Sequence, residues 1–176
     1  LDATKFAALS TKQIAALTTG QVQGLNTNTG DMLALTSAQA GALTTAQVAQ
    51  LTLGNLSSAG LSGISSAGIA SLTTASLNSL TTANWGFVST KQMAAITTAQ
   101  AAALATDDFV ALSSTQLNAI STASLQAFTT TTIATLSTAV FATLSTKQIA
   151  ALSTLQVRSL TTGDAAALTS AQAGAL

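Results

Sequence analysis

Large apolar residues recur along this chain at a spacing that belongs to neither an ordinary helix nor a strand. From Leu56 to Leu176 a Leu, Ile, Val or Phe stands at every eighth position without a slip. The same spacing links Leu1, Leu9, Leu17 and Leu25, then Leu35, Leu43 and Leu51. Two extra residues lie between Leu25 and Thr29, and three are missing between Leu51 and Leu56. Residues 1–176 therefore read as a single octad array, with irregularities near 25–35 and 51–56. The consensus octad is Leu-Thr-Thr-Ala-Gln-Val-Ala-Ala, nearly whole at Leu43–Gln50.

Eight residues at about 100° each leave an apolar stripe drifting by about 80° per repeat, so the octads do not join into one amphipathic helix. A strand fails too, because its two large apolar positions lie five and then three apart, on opposite faces of a period-two ribbon. A short helix fits position by position. With the first Ser or Thr as N-cap, Gln falls at the third helical position (N3), which is the capping box. The Leu before the cap (N′) and the Val or Ile at N4 form the hydrophobic staple. Leu9-Ser10-Thr11-Lys12-Gln13-Ile14, Ile96-Thr97-Thr98-Ala99-Gln100-Ala101 and Leu144-Ser145-Thr146-Lys147-Gln148-Ile149 carry the pattern of this start. The acids agree: Asp2 is an N-cap, Asp107 is N2, and Asp31, Asp108 and Asp164 are N3, all in first turns where the helix dipole favours negative charge. Lys12, Lys91 and Lys147 fall at N2, the wrong end for a cation.

Helices this short do not persist alone in water and must stack. The predicted fold is all-α, a solenoid of very short helices, one per octad, with Leu at N′ and Val, Ile or Phe at N4 facing a shared interior. Phe6, Phe109 and Phe141 at N4 and Phe128 at N′ are expected in that core. A β-solenoid is the alternative, although its corners want regular Gly, Asn or Asp that the octad lacks. The number of octads per coil is not set by the pattern.

A longer repetition overlies the octad. Leu9–Leu17 and Leu144–Leu152 are the same nine residues, and Leu35–Leu43 and Leu168–Leu176 are likewise identical. Neither end carries a polar capping repeat of the kind a finite solenoid needs. The expectation is a window of a longer repeat protein, or a filament subunit whose ends meet copies of itself. On this reading Leu1, Phe6, Leu168 and Leu176 (with Ala173) are exposed apolar ends available for head-to-tail association.

Composition removes most chemistry. The chain has no His, Cys, Glu, Tyr or Pro, only 6% charged residues, and a net charge of zero. No Ser-His-Asp triad or imidazole base can be built, nor a zinc, haem or iron–sulfur site of the usual kind. No enzyme activity and no cofactor are therefore expected. The balanced charge leaves no basic stripe for nucleic acid. Mean hydropathy is +0.51, yet Ser, Thr or Gln breaks every apolar run well short of the roughly 20 residues a membrane span needs.

Runs such as Leu-Thr-Thr-Ala-Gln-Val and Leu-Ser-Thr-Lys-Gln-Ile-Ala-Ala-Leu resemble the Thr/Ala/Gln octad arrays of very large secreted bacterial surface proteins, adhesin-like or of the extracellular matrix. The resemblance covers the whole chain and is compositional. It implies an extracellular or cell-surface structural or adhesive role and carries over no catalytic residue.

Three local features compete for a site. Asp107-Asp108 could be half of a calcium site, but adjacent helical residues point about 100° apart, and complementing the helix dipole explains the pair. Trp85 and Phe87 break the small-residue rule after N4, as a contact patch for a partner or as a core plug, the plug being favoured. The second hydroxyl of each Ser/Thr pair, at N1, is left open to ice binding or to O-glycosylation. The function expected is a structural, self-associating repeat protein of an extracellular bacterial filament, sheath or adhesin stalk, whose partners are copies of itself and the cell surface or a polysaccharide. The alternative is a hydroxyl-rich binding module for ice or a neutral polysaccharide.

Overall fold

The capping pattern folds as its chemistry dictates. The computed structural model describes residues 3–26 and 29–176. Among these, twenty-one α-helices of four to seven residues and one 3-10 turn follow one another, with no strand. The fold is all-α, and the β-solenoid is excluded. Helix Thr45–Val48 shows the unit. Thr44 is its N-cap in extended backbone, the Thr44 hydroxyl accepts from the Gln47 N–H at 3.3 Å, and Gln47 Oε1 accepts from the Thr44 N–H at 2.7 Å. Substituting such a cap by Ala costs about 1 kcal/mol, so a chain of caps sets where most of the helices begin.

Each helix also stops locally. The next octad's Leu takes extended backbone, as at Leu43 (φ −64°, ψ 135°) and Leu104 (φ −65°, ψ 131°), and its carbonyl-side neighbour is already the next cap. No described residue has positive φ, which explains how the corners turn without a regular glycine.

Helices pack on the element three places along the chain. Thr98–Ala103 lies against Thr122–Ala127, Thr90–Met93 against Ser114–Ala119, and Thr138–Phe141 against Thr162–Ala167. Three octads therefore close one coil, and coils stack into a three-sided solenoid. N4 and N′ side chains point inward and form one continuous apolar core from Phe6 to Leu152. Phe109 and Phe128 meet there with ring centroids 4.6 Å apart and planes tilted at 52°, within the range that favours aromatic pairs.

The irregularities are absorbed at the sides. The shortened octad runs through the 3-10 turn Leu53–Asn55, whose greater rise per residue spans a side with fewer residues, and Leu53 still enters the core. At the insertion, Asn26 reaches the coil above, donating to the Gln50 carbonyl at 2.6 Å and accepting from the Thr52 N–H at 2.8 Å. Ser37–Ala42 and Ser58–Gly63 approach closely. A Cβ on Gly63 would collide with the Ser37 backbone.

Candidate functional site

The seam between coils is where polar side chains are buried. Gln39, Gln47, Gln92, Gln100, Gln116, Gln148, Gln156 and Gln172, all N3 residues, are buried. Each Oε1 accepts from its own N-cap N–H, completing the capping box. Each Nε2 points the other way, into the coil below. Gln92 donates to the Leu61 and Ile64 carbonyls, both at 2.8 Å; Gln100 donates to Ile69 at 2.8 Å and Leu72 at 3.0 Å. Gln116 does the same to Trp85 and Val88 at 2.6 and 2.7 Å.

These acceptors lie at helix C-terminal ends and corners, where the helix leaves carbonyls without intrahelical partners. One amide thus closes the start of one helix and the finish of another a coil below. Only Gln has the required combination of an acceptor and two donors at this length. Glu would supply the capping box but would set a charge against the carbonyls, and the chain contains no Glu.

Where Gln is replaced, the seam degrades in chemically sensible steps. Ser124 keeps one bond downward, from its Oγ to the Ile96 carbonyl at 2.7 Å. Asp164 closes its capping box with Thr161, and its other oxygen accepts from the Thr138 hydroxyl at 3.3 Å. Asp108 does least well. Its helix starts at Ala105, which has no side chain to cap with. Burial pushes the Asp108 carboxyl above the usual carboxylate range, the Trp85 indole beside it opposes that in part, and the charge of Asp107 adds to it. The Trp85 Nε1 makes no hydrogen bond of good geometry. Asn118 forms a second kind of bridge, donating to the Thr143 carbonyl at 2.8 Å and accepting from the Ser145 N–H at 3.1 Å.

The residues singled out from the sequence separate. Trp85 is fully buried in the core, whereas Phe87 is 49% exposed, so the pair is neither a shared plug nor a shared patch. N4 points inward and N6 outward, which divides them. Val110, 57% exposed, stands on the same side of the solenoid one coil on. Phe6 is buried, contrary to its expected role as an exposed end, because its N4 side chain turns into the first coil and helix Ala3–Ala7 packs under Thr29–Ala34. Leu168 is half-buried, while Ala173 and Leu176 are exposed. Leu1 and the Asp2 cap lie outside the described residues. Asp107 and Asp108 are joined by no further acid: among the described residues no three His, Cys, Asp or Glu side chains converge.

The downward reach of Gln is the feature that the sequence reading missed. Its signal was present, in the consistent choice of Gln over Glu at N3. The outer surface carries the N1 hydroxyls, exposed at Thr74, Thr98, Thr122, Thr146 and Ser170, one per coil along one side. No described helix is long and apolar enough to cross a membrane.

A family model of the ALTTAQ repeat matches residues 101–138 and 133–162. No curated protein and no solved structure matches the chain. The six letters of that repeat stand verbatim at Ala42–Gln47, where Leu43 is N′, Thr44 the cap and Gln47 the clamp. The chain is a helical repeat array, similar over residues 101–162 to the ALTTAQ repeat.

Proposed function

We propose that this chain is a non-catalytic, self-associating structural repeat protein of an extracellular bacterial filament, sheath or adhesin stalk. The observation that carries the proposal is the Gln seam. Eight buried glutamines join coil to coil, each capping its own helix and donating to carbonyls of the coil below. Such a unit extends without a distinct end, as a stalk or filament requires. The near-absence of surface charge removes the repulsion that keeps chains apart, and the resemblance to secreted octad arrays supports a role outside the cell.

Electron microscopy and light scattering of native material test this. Rods or fibres with the width of one solenoid or a bundle are expected; monodisperse monomers up to the solubility limit would contradict it. Surface proteolysis of intact producing cells should release the array, and full protection would contradict the location. The exposed N1 hydroxyl row favours a second reading, a binding face for ice or a neutral polysaccharide. Thermal hysteresis, or glycan retention by monomers, would favour that reading over the first.

A further inference from the structure

The outer surface, mostly small and uncharged, changes character in the middle of one side. Phe87 at N6 is 49% exposed, and Val110, 57% exposed, belongs to the helix that packs against Thr82–Trp85 one coil on. Asp107 precedes Val110 by three residues, which puts the two beside each other on one helix face. Asp31, Asp108 and Asp164 are buried, so Asp107 is the one exposed acid among the described residues. A carboxylate, a valine and an aromatic ring thus project from two adjacent coils of the same side.

The opposite set of properties occurs three times. Lys12, Lys91 and Lys147 stand at N2 of the three octads that read Ser-Thr-Lys-Gln, and in each the N5 and N6 residues are both Ala, as at Ala94 and Ala95. All three lysines are exposed, at a helix end whose dipole disfavours a cation. No ion pair among the described residues offsets that, and Asp107 forms none either. The helix of Lys91 comes ten elements after that of Lys12, and the helix of Lys147 seven elements after that. With three elements to a coil, each stands one side further round the solenoid, and the lysines face three directions.

We infer that the patch of Phe87, Asp107 and Val110 is a lateral docking surface for a second copy of this chain, which it receives on one of the three Lys-Ala-Ala faces. Complementary charge and bulk identify the occupant. The ammonium of Lys12, Lys91 or Lys147 pairs with the Asp107 carboxylate and gains from the nearby Phe87 ring, while the Ala pair leaves room for Phe87 and Val110. The two surfaces differ, so the contact is heterologous and propagates instead of closing as a dimer. It rests on the structural role proposed above and names a sideways contact between copies. An exposed ion pair contributes little alone, so this assembly depends on concentration and weakens with salt.

The test is sedimentation of the 176-residue chain with two charge reversals, Asp107→Lys, and Lys12→Asp with Lys91→Asp and Lys147→Asp. Circular dichroism should stay that of the parent, because N2 already accepts Lys in three octads and Asp in one. Each reversal alone should raise the apparent dissociation constant about tenfold, and an equimolar mixture of the two should regain the parent's association. Arg158→Asp, which reverses an exposed cation outside these octads, should shift it less than about threefold. Phe87→Ala restores the usual small residue and should weaken association without any change of charge. A carbodiimide should couple Asp107 to Lys12, Lys91 or Lys147 of an isotopically distinct copy. Equal association by either reversal or by Phe87→Ala, no recovery on mixing, or coupling to none of these lysines would overturn the contact. Fibres that persist through every substitution would overturn it while leaving the structural role standing, and a parent chain monomeric to its solubility limit would overturn both.

Discussion

Exchanging Gln92 for Glu separates the two jobs of the N3 amide, because the two give opposite signs. Were Gln92 only half of a capping box, Glu would serve as well or better, gaining about 0.3–1 kcal/mol from the helix dipole. As a clamp it loses two donors, to the Leu61 and Ile64 carbonyls at 2.8 Å. Each such bond contributes about 0.5–1.5 kcal/mol net. A carboxylate facing two carbonyl oxygens at a buried site adds desolvation on the order of 1–3 kcal/mol. The net expectation is a loss of about 2–4 kcal/mol, read as a lowered midpoint in denaturant unfolding. The loss should shrink on acidification, because a protonated Glu recovers one donor. Gln13→Glu, whose exposed side chain makes only its capping box among the described residues, is the internal control and should be neutral or mildly stabilising. Equal, small effects at Gln92 and Gln13 would refute the clamp and leave only the capping box.

Three further outcomes follow from the same structure. Thr44→Val and Thr97→Val should each lower stability by about 1 kcal/mol through loss of the cap; a raised melting midpoint in both would contradict the helical caps. Asp108, whose carboxyl is raised in the fold, retains a proton that the unfolded chain has already released. Its ionisation penalty is therefore fully present above the folded value and is relieved as pH falls through that value toward the ordinary carboxylate range. Asp108→Asn should raise the melting midpoint at neutral pH and flatten this stabilisation on acidification, and parallel pH profiles would contradict the assignment. Gly63→Ala should cost about 1–3 kcal/mol by forcing the Ser37 backbone away, while Gly20→Ala, with nothing near its added Cβ, should gain about 0.5–1 kcal/mol by chain entropy and helix propensity.

Helix starts were legible in the sequence because capping is a contact within four residues. Thr44, Gln47 and Val48 announce their helix without reference to anything distant. The core was legible for the same reason, since N′ and N4 follow from the cap. The coil was not. Three octads per turn depend on the extended corner backbone at residues such as Leu43 and Leu104, and on how far neighbouring helices approach, which no octad encodes alone. The clamp lay between these cases. Nothing local prefers Gln to Glu at N3, so eight buried glutamines and no Glu required a partner outside the octad. Phe6 was misplaced because an end octad was treated as exposing every apolar position, whereas N4 turns into the coil's own interior. Nothing in the structure explains the exposed Lys12, Lys91 and Lys147 at N2.

The coil of three octads, closed by clamps to the coil below, is tested most directly by spin labels at exposed N5 positions. The chain has no Cys, so single and paired Cys substitutions can be labelled cleanly. Ala70 and Ala94 lie on helices that pack against each other, Ser66–Ser71 and Thr90–Met93 with its C-terminal residue, and packed helix axes stand about 8–10 Å apart. Strong dipolar broadening is expected for Ala70→Cys with Ala94→Cys, and weak broadening for Ala70→Cys paired with Gly86→Cys or Ala102→Cys. The strongest broadening in the Gly86 pair would mean two octads per coil and in the Ala102 pair four, and either result would contradict the three-sided, Gln-clamped solenoid.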